Sequence, residues 1–476
     1  MKNVYLFLLP LLIMQANVCQ AQTLEEVIGY GLPVVVVNTM DGEEPTSEVI
    51  TYKIGSITRT SITNAVQKEA RMQIYRGGIL WYDSGDYIDD VSGIKIRHRG
   101  NTSAAFFENK PFKLKLQKKA DLIDTQEDGD NTDRRSKDWV LLNNVHTIDL
   151  PLAYKLSNLI GLEYTPRMQF VNVIINGNYR GMYVLAENIS RDKECRINVD
   201  KQDGYIIEFD AYFWKEPLSF KSQFTGYMQW TLKYPDPEDL TAEQMENIRS
   251  DIQRFEASVS SQDYPNLIDI KSIAKWMLVH DIMGTRDSGG CNMYVARTDR
   301  QDASLMRMPA VWDMASSSMD VLDEWSKSHT DLGLFFSHLF ANEQCMEFTK
   351  EYVKEWKRIK EENVFDSLIV FIDGYTSTPE GIGVKNSAPH HMQRWSLSYG
   401  LVDLERKTVS AKEWMNNRQL WLDENITKME DKYTAVPTIR EMQENDHTNV
   451  RKIILGKHLY IIKNGEAYSV DGIRVE

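Results

Sequence analysis

The chain has 476 residues, a net charge of −14 and many aromatic side chains, with 11 Trp and 22 Tyr. This length and apolar content suit one large domain or two to three smaller ones, and exclude an intrinsically disordered chain. The acidic balance argues against nucleic acid or an anionic membrane surface as the main partner.

The first residues follow a three-part pattern. Lys2 gives a positive start, Val4 to Met14 is an apolar run too short to span a bilayer, and Ala21 offers a small residue before a cut at Gln22. Residues 1–21 are therefore expected to be a signal peptide, placing the protein in the periplasm, at the cell surface or outside the cell. Cys19 offers a second reading, a lipidated cysteine, but Ala16-Asn17-Val18 fit such a site poorly. No further transmembrane segment is expected once the signal is removed. The remaining Cys195, Cys291 and Cys345 are too dispersed for a disulfide framework, and no CxxC or His-rich spacing points to zinc.

Residues of about 24–120 read as β-rich. LPVVVVN is a continuous apolar run, ITYKIGSITRTSI and ARMQIYRGGILWY alternate around glycine turns, and IKIRHRGNTS and NKPFKLKLQKK form a further alternating pair. DLIDTQEDGDNTDRRSKD (121–138) is expected to be an exposed loop before the apolar WVLLNN. IDLPLAYKLSNLIGL has helical spacing that stops near Gly161. FVNVIINGNYRGMYVLAENI reads as a hairpin around Asn-Gly-Asn, ending at Glu187. DGYIIEFDAYF is a further strand, with Glu208 and Asp210 on one face.

From about 239 the pattern turns helical. Thr241 and Gln244 predict a capping box, and NLIDIKSIAKWMLVHDIM predicts a helix stopped at Gly284. The stretch Gly284–Ser318 then holds Asp287 and Asn292 in a polar loop, MYVAR as a strand, DRQD as a turn and LMRMPAVW as a second strand delivering Asp313. Two acids and an amide at loop and strand ends are the oxygen donors a hard cation such as Mg²⁺ takes. The same residue types also populate ordinary turns. Helices are expected over Cys345–Glu362 and Leu404–Tyr433, with PEGIGVKNSAPHH between them as loop. A charged linker (436–450) leads to an alternating tail with Asn-Gly and Asp-Gly turns, a small β appendage.

Four segments taken in order resemble the spore-coat protein H (CotH) kinase family. They are RGNTS…NKPFKLKL (99–116), INGNYRGMYVLAE (175–187), DSGGCNMYV (287–295) and PAVWDMASS (309–317). The tail resembles short C-terminal modules ending in Y-x-x-x-G-x-x-V on secreted bacterial proteins. The resemblance implies an α+β, atypical protein-kinase-like fold with a β-rich N-terminal part and a helical C-terminal part. It divides the chain into a β-rich region (22–90), a kinase-like domain (91–435), and a linker with the small β tail (436–476).

The activity implied is transfer of the γ-phosphoryl group of ATP to protein Ser or Thr, with Mg²⁺ or Mn²⁺ as cofactor. Lys110 would hold the α/β-phosphates with Glu187 as charge partner, and the loop bearing Gly100, Asn101 and Ser103 would approach the phosphates. Asp287 would orient the acceptor hydroxyl or act as base, and Asn292 and Asp313 would ligate the metal. The Asp287–Asn292 step matches the D-x-x-x-x-N spacing of kinase catalytic loops. Four positions depart from the family pattern: Ala315 replaces the second acid of WDxD, Cys291 replaces a His, and Asn144 and Asp149 stand where an Asp and an Arg are usual. These departures support a second reading, an inactive relative serving as a surface or extracellular binding module. A third, a polysaccharide-binding or hydrolytic protein, rests on export and aromatic richness alone.

Overall fold

The computed structural model describes residues 22–434, apart from 64–65, 124–131, 144–146, 287, 289–291, 315–317, 331–334 and 396–402, and residues 450–475, apart from 456–457, 464 and 470–473. The expected signal peptide with Cys19, and Asn144, Asp287, Cys291, Ala315 and most of the expected linker, lie outside the described residues.

After α1 (Leu24–Ile28), the continuous apolar run and the alternating segments that follow it build β1 (Val34–Thr39), β2 (Val49–Ile54), β3 (Ile57–Ile62), β4 (Gln67–Arg76), β5 (Ile79–Asp83) and β6 (Ile94–His98). A short helix α2 (Thr102–Phe106) precedes β7 (Phe112–Ala120) and β8 (Ser136–Leu142). The expected loop at 121–138 therefore ends sooner, because Ser136 to Asp138 already belong to β8. Helix α3 (Asp149–Ile160) stops at Gly161, whose φ of +77 suits its left-handed cap position. The hairpin of β9 (Met168–Ile175) and β10 (Asn178–Glu187) turns through Asn176 and Gly177, both at positive φ, as a type I′ turn requires.

These strands close on themselves. β1 runs parallel to β9, pairing Val34 with Asn172, and antiparallel to β4, pairing Val34 with Tyr75. The order β1-β9-β10-β8-β7-β6-β4 therefore returns to β1, forming a closed barrel among the described residues, with β5 added along β4. Alternation decides what fills it: Val35, Met72, Ile96, Leu114, Trp139 and Val173 belong to one buried cluster inside. Val140, Phe170, Met182 and Val184, the alternate residues, join the larger core shared with the helices. Strands from both sides of residue 90 share the barrel core.

A second sheet joins β11 (Tyr205–Asp210), β12 (Ser219–Lys221), β13 (Gln229–Tyr234) and β14 (Met293–Arg297) in the order β12-β13-β11-β14. Between β13 and β14 lie α4 (Ala242–Ser258), opened by the expected Thr241–Gln244 capping box, and α5 (Ile270–Met283), capped by Asp269. The expected strand LMRMPAVW does not form a ladder. Met306 bridges to Ile268 and Arg307 to Ala296, and then Pro309, with no N–H to give, accepts the Tyr164 N–H at 3.0 Å.

Helices α6 (Lys327–Thr330), α7 (Phe335–Ala341), α8 (Glu347–Glu361), α9 (Val364–Tyr375), α10 (Pro379–Trp395) and α11 (Leu404–Thr434) complete the C-terminal part. The segment PEGIGVKNSAPHH, expected as loop, is most of α10. Pro379 occupies its first turn, where a missing N–H costs little. Glu380 accepts the Phe170 N–H and the Tyr375 hydroxyl, which ties the helix to β9. The tail is an antiparallel sheet of β15 (Val450–Leu455), β16 (His458–Lys463), β17 (Glu466–Ser469) and β18 (Arg474–Val475), as its alternation predicts. No helix among the described residues is long and apolar enough to cross a membrane.

Candidate functional site

Strand β6 delivers Arg99 into the loop that precedes α2, and its N–H donates to the Pro111 carbonyl at 3.0 Å. The Arg99 guanidinium sits over the Trp312 ring, 5.8 Å from its centroid. Burial lowers the Arg99 pKa, while Tyr294, Asp313, Glu208 and Tyr154 all act on its charge in the opposite sense. Asp313 in turn helps to raise the pKa of the buried Tyr154 hydroxyl, after burial itself. Three of the four quoted segments thus meet around one guanidinium: Arg99 from the first, Tyr294 from the third, and Trp312 with Asp313 from the fourth.

Asn292 and Asp313 both have positive φ, +58 and +54. Asn and Asp tolerate this region better than other side chains, and backbone held there is often found at functional sites. Asn292 directly precedes β14, whose Met293 pairs with Phe209, so it lies at the Asp210 end of β11. Among the described residues no group of three His, Cys, Asp or Glu is arranged to hold a metal ion. Asn292 and Asp313 supply oxygen donors of the type Mg²⁺ accepts, and the other expected acid of the loop, Asp287, lies outside the described residues.

Glu208 and Asp210 share a face of β11, as alternation predicts. Lys233 from β13 lies 3.0 Å from Glu208, 3.2 Å from Glu216 and 3.8 Å from Asp210. Burial works against the Lys233 charge, yet these carboxylates hold its pKa above the ordinary value. Burial, then the charge of Glu208, raises the pKa of Asp210. The Tyr294 hydroxyl bonds Glu208, and its pKa is raised by burial and by that carboxylate.

The loop residues have protein partners of their own. Gly100 has φ +94. The Asn101 carboxamide oxygen accepts from Ser61 at 2.7 Å and from Lys215 at 3.1 Å, and makes no helix-capping bond. Ser103 lies in α2, its carbonyl accepting the Phe107 N–H. Lys110 Nζ donates to the Ala104 carbonyl at 2.5 Å, and burial lowers its pKa.

Glu187 is not the partner of Lys110. It ends the inward-facing row of β10, is fully buried, and binds Arg167 at 2.9 Å and Arg196 at 3.1 Å. The Tyr164 hydroxyl adds a bond at 3.1 Å, and Asp121 shares Arg167. Asp149, at a place where the family usually has another residue, is buried in the first turn of α3 with Lys407 Nζ at 3.5 Å. It also lines a cavity of about 280 Å³ with Met319, Lys407 and Trp414.

Arg99 lies inside a motif that gives it no role of its own, and the sequence expectations include neither Lys215 nor Tyr154. A lone cation in the aromatic run AYFWKEP is a signal for Lys215; nothing marks Tyr154 within its apolar helix. No curated protein matches the chain. The profile of the CotH kinase protein family matches residues 96–422, which contain all four motif segments. The chain belongs to the CotH kinase protein family.

Proposed function

We propose that the protein is an exported atypical protein kinase that transfers the γ-phosphoryl group of ATP to Ser or Thr of a protein substrate. The observation that carries this reading is the meeting of Arg99, Tyr294, Trp312 and Asp313 from three separate family segments. The β-rich and helical parts are read as the two halves of an atypical kinase-like fold, and the three-part N-terminal pattern supports export.

In this reading Arg99 neutralises phosphate oxygens beside Asp313, and Lys110 exchanges the Ala104 carbonyl for the α/β-phosphates. Asn292 and Asp313 hold Mg²⁺ or Mn²⁺, which supplies charge neutralisation on the phosphates. Asp287 takes the acceptor's proton as its oxygen bonds the γ-phosphorus and the bond to the ADP oxygen breaks. Purified protein incubated with γ-labelled ATP and Mg²⁺ or Mn²⁺ tests the proposal. Label transfer is expected, falling at least about 100-fold in Asp313→Asn with little change in thermal midpoint. The absence of transfer, together with no thermal shift from ATP, ADP or AMP, would sink it.

A second reading, an inactive relative acting as a surface or extracellular binding module, draws on the partners of Glu187. With that carboxylate held by two arginines, Lys110 rests on a backbone carbonyl. Turnover abolished by Asp287→Ala excludes it.

A further inference from the structure

The hairpin of β2 and β3 precedes the family-matched residues 96–422, yet it reaches their first motif. Ser61, at the end of β3, is fully buried. Its hydroxyl donates to the Asn101 carboxamide oxygen at 2.7 Å and accepts from Lys215 Nζ at 2.8 Å. Lys215 also donates to Asn101 Oδ1 at 3.1 Å and to the Gly100 carbonyl at 3.4 Å. An ammonium group has three N–H donors. Here each has an acceptor, and two of the three acceptors belong to the loop that carries Arg99.

Aromatic contacts brace this knot from outside. Tyr52 of β2 stacks on Trp214 at 5.0 Å, and Arg59 of β3 lies 5.7 Å from the Tyr212 ring centroid. The Tyr212 hydroxyl bonds Thr102 at the start of α2. The hairpin base is closed by Thr63 N–H to the Glu48 carbonyl at 2.9 Å and Glu48 N–H to the Thr63 hydroxyl at 3.0 Å.

We infer that the β2–β3 hairpin is a built-in clamp on the Gly100–Asn101 loop, and that Ser61 and Lys215 are positioning residues for the nucleotide. The nucleotide part rests on the kinase reading; the clamp itself does not. Asn101 is spent on the clamp rather than on capping α2, so it holds residues 99–101 in one conformation and Arg99 over the Trp312 ring. Burial lowers the Lys215 pKa to about 8, with Glu216 and Asp210 opposing and Arg97 and Arg99 adding to the shift. A neutral amine has two N–H groups for three acceptors, so the clamp slackens as pH rises through that value.

The test uses the full chain with Ser61→Ala, Ser61→Thr, Lys215→Met and Lys215→Arg. Hydrogen exchange without nucleotide is expected to quicken at residues 99–104 in Ser61→Ala and Lys215→Met, and to return toward the parent rate in Ser61→Thr. With Mg²⁺-ATP, those two variants are expected to raise KM about tenfold with kcat little changed. The parent's affinity is expected to fall above pH 8, and Lys215→Met to flatten that profile. Unchanged exchange at 99–104 overturns the clamp. Quickened exchange with unchanged KM and pH profile overturns the positioning role. If the parent binds no nucleotide, the kinase reading fails, and the exchange result alone decides whether the clamp stands.

Discussion

Glu187 separates two readings of one motif. The family resemblance makes it the charge partner of Lys110; folded, it compensates two arginines in a site closed to solvent. Removing one partner from such a group leaves uncompensated buried charge. Glu187→Gln is therefore expected to cost about 3 kcal/mol in a urea titration, whatever it does to activity. Loss of turnover at unchanged stability would instead return Glu187 to the nucleotide site. Gly181, in the same motif, has a structural reason. A Cβ there would lie 2.4 Å from His391 Nδ1 and 3.1 Å from Trp395 Nε1, and its φ is +85. The glycine lets α10 approach the β10 backbone, where Trp395 Nε1 donates to the Arg180 carbonyl at 2.8 Å. Gly181→Ala is expected to destabilise by about 3 kcal/mol, combining left-handed strain with overpacking, and thermal unfolding measures it.

Elements whose signals are local were readable. The Asn176-Gly177 turn, the capping box at Thr241 and Gln244, and the Gly161 stop need only neighbours within a few residues, and each forms as expected. So does Gly284 after α5, at φ +61, where a Cβ would meet the Trp414 ring at 2.5 Å. Helix α10 was hidden because its glycines and prolines read as breakers. Their reason is tertiary: a Cβ at Gly383 would lie 2.7 Å from Leu32 Cδ2, and one at Gly381 would lie 2.0 Å from the Tyr375 carbonyl oxygen. The strand expected at LMRMPAVW fails for the converse reason, since Pro309 cannot donate to a ladder. In the candidate site, alternation placed Glu208 with Asp210, and motif order marked Asn292 and Asp313. The Ser61–Lys215–Asn101 contact joins residues far apart in sequence, and no local pattern announces it.

At the scale of the molecule, buried histidines set an acid limit. His391 Nδ1 accepts the Met182 N–H at 3.0 Å, which requires a neutral ring. Burial lowers the pKa of His391 and of His98 to about 4, and of His280 to about 3. Between the unfolded value near 6.5 and these folded values the unfolded chain binds protons that the folded chain refuses. Stability is thus expected to be full above about pH 6.5 and to fall as pH drops toward 4. His391→Asn keeps an acceptor near Nδ1 without the charge, and should remove about 3 kcal/mol of that loss in urea titrations at the two pH values. Barrel closure was not legible, because β1 takes partners from distant segments that no local pattern names. The closed ring also fixes an order of events. Strand β1 is made early and can pair with β4 soon after, but it finds its parallel neighbour only when β9 has followed, so the ring stays open until then. Until Asn172 reaches Val34, β1 and β9 each present an unpaired strand edge, open to misassembly.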